Sequence, residues 1–86
     1  MKKAGDRFYV ARHNLSGHWS VRHLGNWGDS SALKDFGPGP KGSLAARRAL
    51  EARDRLQAAL EERDLTFKEM DAIIAEVVAS VVETLA

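Results

Sequence analysis

The side chains of this chain that can do chemistry gather in its N-terminal half: Arg7, Tyr9, Arg12, His13, His18, Arg22, His23, Trp27 and Lys34. Alternation with a period of two sorts most of them. Over Arg7-Phe-Tyr-Val-Ala-Arg-His13 and His18-Trp-Ser-Val-Arg-His-Leu24, the residues Arg7, Tyr9, His13, His18, Ser20 and Arg22 fall on one face of a strand pair. Phe8, Val10, Trp19 and Val21 fall on the other, the core side. Cations set around an aromatic ring form a surface that holds anions, because guanidinium groups donate to carboxylate or phosphate oxygens while the ring supplies contact area. Arg12 and Lys34 extend the basic set. Trp27 stands between Gly25 and Gly28, in a polar loop where no periodicity asks for a large apolar residue, and is a candidate contact residue.

Other chemistries lack their parts. His13 and His18 would face each other beside a turn, but His23 alternates to the opposite face and the chain has no cysteine. No third ligand is in place, so neither a metal site nor a cofactor is expected. Gly37-Pro-Gly-Pro-Lys-Gly-Ser43 leads into a helix as a phosphate-binding loop would. Pro38 and Pro40, however, have no N–H to donate, and Lys41 precedes its glycine instead of following it, so the segment reads as a stiff linker. There is no nucleophile motif, no carboxylate pair in a recognisable context and no cofactor fingerprint. A chain of 86 residues also has little room for a pocket that excludes water. No catalytic residue is named, and the expectation is a non-enzymatic protein.

A basic face of this kind needs a sheet to carry it. The two segments above are rich in aromatic and β-branched residues, and Asn14-Leu-Ser-Gly17 supplies the reversal between them. Two strands alone are marginal, which favours a short third strand at Ala32–Phe36. The expected fold is α+β in a single domain over 1–86: a flexible arm at 1–6, a small antiparallel sheet at 7–36, a Gly/Pro linker at 37–42, and helices at 43–63 and 66–85. Ser43 is a good N-cap for the first helix, whose Ala45, Ala49, Ala52, Leu56, Ala59 and Leu60 recur at helical spacing. Thr66-Phe-Lys-Glu69 fits a capping box at the start of the second.

That second helix is strongly apolar on one face. Phe67, Met70, Ile74, Val77 and Val81 follow the alternating three- and four-residue spacing of a helical seam, while Val78, Val82 and Leu85 widen it. One flank is expected to pack on the first helix and the sheet, and the other on a symmetry mate. Phe67, Met70, Ile74, Val77, Val78, Val81, Val82 and Leu85 are thus the expected interface of a homodimer.

Charge is distributed unevenly. Residues 1–42 carry seven Lys or Arg against three Asp, a net +4, and residues 43–86 carry six against nine acids, a net −3, summing to the +1 of the whole chain. The N-terminal part can face an acidic partner; the C-terminal helix is a poor surface for one. The absence of cysteine leaves the redox compartment open. The N-terminus lacks the apolar stretch of a signal peptide, and no run reaches the ~20 apolar residues of a membrane span, so a soluble, cytoplasmic protein with no membrane partner is expected.

The order of a basic sheet followed by a helix, over residues 7–60, resembles in outline the three-stranded DNA-binding modules of AP2 type and of phage integrase arm domains. That resemblance implies nucleic acid on the sheet face but supplies no motif whose residues carry across; the basic face itself offers Arg7, Tyr9, Arg12, Arg22 and Lys34, with the Lys2-Lys3 arm beside them. A net charge of +1 is small for such a role. The leading expectation is therefore a small interaction or regulatory protein, homodimeric, which binds another protein through the hairpin face and the Trp27 loop. Accessory proteins of phages and mobile elements that modulate a host protein have this character. A nucleic-acid-binding module is the alternative.

Overall fold

In a computed structural model describing residues 7–25 and 28–82, both helices lie on one face of an antiparallel sheet. The elements run β1 (Arg7–Arg12), β2 (His18–Leu24), β3 (Ser30–Pro38), α1 (Leu44–Glu62) and α2 (Phe67–Ser80), and the strands lie in the order β1-β2-β3. The expected α+β fold of a small antiparallel sheet followed by two helices is the one observed. The first hairpin closes as its sequence suggests. His13 donates to His18 and accepts from Gly17 through the backbone, and Gly17 takes the positive φ of 72° that the reversal needs.

Register fixes the two faces. Val10 lies opposite Val21, Phe8 opposite His23 and Arg12 opposite Trp19, while Tyr9 lies opposite Arg22 and Ala11 opposite Ser20. β3 is less regular. Pairing steps from Trp19–Gly37 to Ser20–Asp35, and from Val21–Lys34 to Arg22–Ala32, passing over Phe36 and Leu33. Strict alternation would put two residues three apart on opposite faces. With a bulge at each, Leu33 and Phe36 both pack against the core. The strand also runs further than the sequence suggests, from Ser30 to Pro38, into the segment read as linker. Gly37 adopts a φ of 97° opposite Trp19, and Pro38 is tolerated because it ends an edge strand.

α1 crosses beneath all three strands. Its small buried residues Ala45, Ala46, Ala49 and Ala52 allow a close approach, and Leu56 and Leu60 fill the wider end. Trp19, Ala45, Ala46 and Ala49 make one cluster; Phe8, Val21, Ala52, Leu56 and Leu60 make another with Met70, Ile74 and Val77 of α2. Ser43 caps α1 by accepting from the Ala46 N–H, and Thr66 and Glu69 form the reciprocal capping box of α2.

α2 is shorter than expected, ending at Ser80 with Val81 as its C-cap; Leu85 lies outside the described residues. Two local causes act together. The run from Val77 to Val82 is rich in β-branched residues of modest helix propensity, and the Ser80 hydroxyl donates back to the Glu76 carbonyl at 2.9 Å. Arg48 then takes the open carbonyls, from Nε to Val81 at 2.8 Å and from Nη2 to Val78 at 3.1 Å. Met70 and Val77 are buried within this one chain against the sheet and α1, and Ile74, also buried, lines the floor of a groove beside β3. Phe67 and Val82 remain 61% and 51% exposed, and Val78 and Val81 are partly so.

Candidate binding face

With both helices beneath it, the sheet turns its other face outward uncovered. Three strands contribute to a cluster at one end of that face. Tyr9 of β1 and Ser30 of β3 share a hydrogen bond between hydroxyls at 2.5 Å, and the Arg22 Nε of β2 donates to both, at 3.1 Å to Tyr9 and 3.2 Å to Ser30. Arg7 lies two residues from Tyr9 on the same strand face. The cluster holds the Tyr9 phenol below its ordinary range, first through the Ser30 hydroxyl and then through Arg22, with the charge of Arg7 adding to the effect.

At the other end of the face His18 meets Asp35, with Nδ1 3.0 Å from both carboxylate oxygens. Asp35 also accepts from the Gly37 N–H at 2.7 Å. That backbone bond first, and His18 second, hold the Asp35 carboxyl below the usual carboxylate range. Between the two ends Ala11, Ser20 and Ala32 keep the surface low, and a shallow depression runs from Tyr9 and Arg22 past Ala11 and Ser20 to the hairpin turn.

The structure thus brings Arg7, Tyr9, His18 and Arg22 onto one open face, as alternation suggests. Two other candidates lie away from the Tyr9–Arg22 cluster. Arg12 leaves its strand on the side of Phe8 and Val10, stacks over Trp19 at 5.4 Å from the ring centroid, and reaches the hairpin turn, where it also lines the end of the depression. Lys34 lies on the exposed rim of a groove between β3 and α2, with Leu33, Asp71, Ile74, Ala75 and Val78. His13 is occupied locally, since its Nδ1 accepts from the backbone N–H of Leu15 and of Ser16 at 3.2 Å each. Its ring orders the turn. His23 packs between Phe8 and Phe67 on the core side, and Trp27 lies outside the described residues.

Two residues of the face were not identifiable beforehand. Ser30 and Asp35 complete the contacts of Tyr9, Arg22 and His18, but their positions follow from the bulged register of β3, which no local pattern announces. Among the described residues no group of three His, Asp or Glu side chains gathers that could hold a metal ion, and no helix is long and apolar enough to cross a membrane. Comparison with protein families, with curated proteins and with solved structures finds no match to the chain.

Proposed function

We propose that the chain is a non-enzymatic binding module that holds another protein on the open face of its sheet. The observation that carries this reading is the joining of Tyr9, Arg22 and Ser30, from three different strands, on the face that neither helix covers. Tyrosine and arginine are the residues in which interface binding energy concentrates, and here the backbone of a sheet orders them before any partner arrives. A protein fits better than nucleic acid. Of the five residues expected to meet phosphate, Lys34 lies away from the face, and Asp35 adds a negative charge to it. A polyanion lying along the face would have to cross that carboxylate.

A second copy of the chain belongs to the same reading. The groove between β3 and α2 has an apolar floor of Leu33, Ile74, Ala75 and Val78, with Lys34 and Asp71 among its lining residues. One cation and one anion make such a surface complementary to itself, as a two-fold interface requires.

The binding reading is tested by comparing wild type with Tyr9→Ala/Arg22→Glu. Partners captured from a native extract should be lost from the double variant, and random-sequence DNA and RNA should not bind at low ionic strength. Salt-sensitive nucleic-acid binding that the double variant abolishes would instead establish the nucleic-acid alternative.

A further inference from the structure

The proton count of the Tyr9–Ser30–Arg22 cluster does not close among the described residues. Two hydroxyl protons are present, and the Tyr9–Ser30 bond uses one of them whichever residue donates. The oxygens accept from Arg22 Nε, so the second hydroxyl proton and the terminal N–H groups of the Arg22 guanidinium have no acceptor among the described residues. Arg7 beside them adds a second guanidinium and makes no ion pair among the described residues. Asp29, the acid next to Ser30 in sequence, does not supply the missing acceptor. Its carboxylate folds over Gly25, where an added Cβ would meet Oδ1 at 2.8 Å. The cluster is therefore rich in donors and poor in acceptors, on an exposed surface, with its Arg22 side chain already oriented through Nε.

From this surplus we infer that the cluster is an oxyanion site that accepts a carboxylate side chain presented by an acidic segment of a protein partner. The inference rests on the proposed use of the sheet face and names the chemistry of what it holds. A guanidinium tied at Nε keeps its two terminal nitrogens side by side, which suits the paired oxygens of a carboxylate. The hydroxyl proton adds a donor from the flank. The same environment already favours an anion at this position, since it eases ionisation of the Tyr9 phenol. A single acidic side chain fits the extent of the site, because Asp35 at the far end of the face repels anything that spreads the same charge along the whole sheet.

The test uses the full isotope-labelled chain and three probes at matched ionic strength: a polyglutamate peptide too short to reach Asp35 from the cluster, inorganic phosphate and a random-sequence DNA oligonucleotide. Polyglutamate should shift the amide and side-chain resonances of Arg7, Tyr9, Arg22 and Ser30. Because Tyr9 is the only tyrosine, its phenolate absorbance can be titrated without interference, and bound polyglutamate should move that ionisation upward by placing a second anion beside it. Arg22→Gln should weaken polyglutamate binding by ~10-fold or more, the loss expected for a charge-assisted hydrogen-bonded contact, with a smaller loss for Tyr9→Phe. Lys34→Gln, in the groove beside α2, should leave it unchanged.

Shifts confined to the hairpin turn, or binding indifferent to Arg22→Gln, would overturn the inference. Tighter Arg22-dependent binding of the oligonucleotide would overturn it in favour of a phosphate backbone, and equal response to inorganic phosphate alone would overturn the preference for a carboxylate. The underlying reading fails separately. If polyglutamate binds at the cluster while partner capture ignores Tyr9→Ala/Arg22→Glu, the oxyanion site stands and the proposed function falls. If capture is lost while polyglutamate never binds, the reverse holds.

Discussion

The indole of Trp19 donates from Nε1 to the backbone oxygen of Gly39 at 2.6 Å, tying the middle strand to the segment that leads into α1. The bond couples two problems of the fold. A large ring that is only 8% exposed needs a partner for its N–H, and a chain leaving a sheet for a helix needs its direction set. Gly39 meets both needs because it has no side chain. A Cβ there would lie 2.5 Å from the hydroxyl of Ser43, the cap of α1.

Trp19→Phe should keep most of the apolar contact with Ala45, Ala46 and Ala49 but lose this bond, and is expected to destabilise the fold by about 1–3 kcal/mol. Gly39→Ala should cost a similar amount, of order 1–3 kcal/mol, by displacing the Ser43 cap and imposing a side chain on a φ of 157°. Chemical denaturation measures both. If Gly39→Ala unfolds at the wild-type midpoint, the close approach of Gly39 and Ser43 has no part in stability.

Arg48 joins the helices by a different route, donating to the carbonyls of Val81 and Val78 at the end of α2. A cation at a helix C-terminus meets both the open acceptors and the negative end of the dipole. Arg48→Met should lower stability by about 1–2 kcal/mol and speed amide exchange at Val81, whose N–H bonds to Val77, before it affects α1. Arg48→Lys should recover only part of the loss, because an ammonium cannot reach two carbonyls with a planar fork. Uniform exchange rates across the three proteins would show that α2 ends without help from Arg48.

Much of this arrangement was legible in sequence, where strong local signals agree with the tertiary structure. Phe8, Val10, Trp19 and Val21 alternate in phase, and all pack toward α1 or its clusters. Ser43 and the Thr66–Glu69 box marked the helix starts because capping is a short-range matter. The failures have physical causes. Phase with Phe8 and Val10 carries Arg12 toward the Trp19 ring, a contact that charge alone does not announce, while its length still brings it to the hairpin end of the depression. Lys34 and Asp35 depend on two bulges in β3, and bulges change the face of everything beyond them. The end of α2 turns on a contact with Arg48, thirty-three residues earlier than Val81. No helix periodicity encodes that contact.

The His18–Asp35 pair predicts a pH dependence. Asp35 accepts from the Gly37 N–H and from His18, and its carboxyl titrates below the usual range in the folded chain. A group whose folded pKa is depressed binds its proton more weakly folded than unfolded. Its contribution to stability is present above the ordinary aspartate value and lost as pH falls through the lower folded value. The acid limb of the stability profile should therefore flatten in Asp35→Asn, with no change above the carboxylate range that traces to this group's ionisation. Melting temperatures measured from neutral to acid pH check it, and identical acid limbs in the two proteins would remove Asp35 from the account.

The last prediction concerns self-association. Phe67 and Val82 are exposed, and Ala75 and Val78 line a groove whose rim holds Lys34 and Asp71. If two copies meet there about a two-fold axis, each lysine is set near an aspartate of the opposite copy, and reversing one charge puts like charges together on both sides of the axis. Light scattering should find the wild type as a dimer, Lys34→Glu shifted toward a 9.5 kDa monomer, and Asp71→Lys likewise. The double reversal Lys34→Glu/Asp71→Lys should restore the dimer, an outcome that simple loss of folding cannot produce. Val78→Asp should dissociate it without rescue, since it places a charge on the apolar floor. The sheet face lies on the other side of the molecule from this groove, so these variants should leave polyglutamate binding at Arg22 unchanged. A wild type that remains monomeric at high concentration would eliminate the dimer and leave the groove to the single chain.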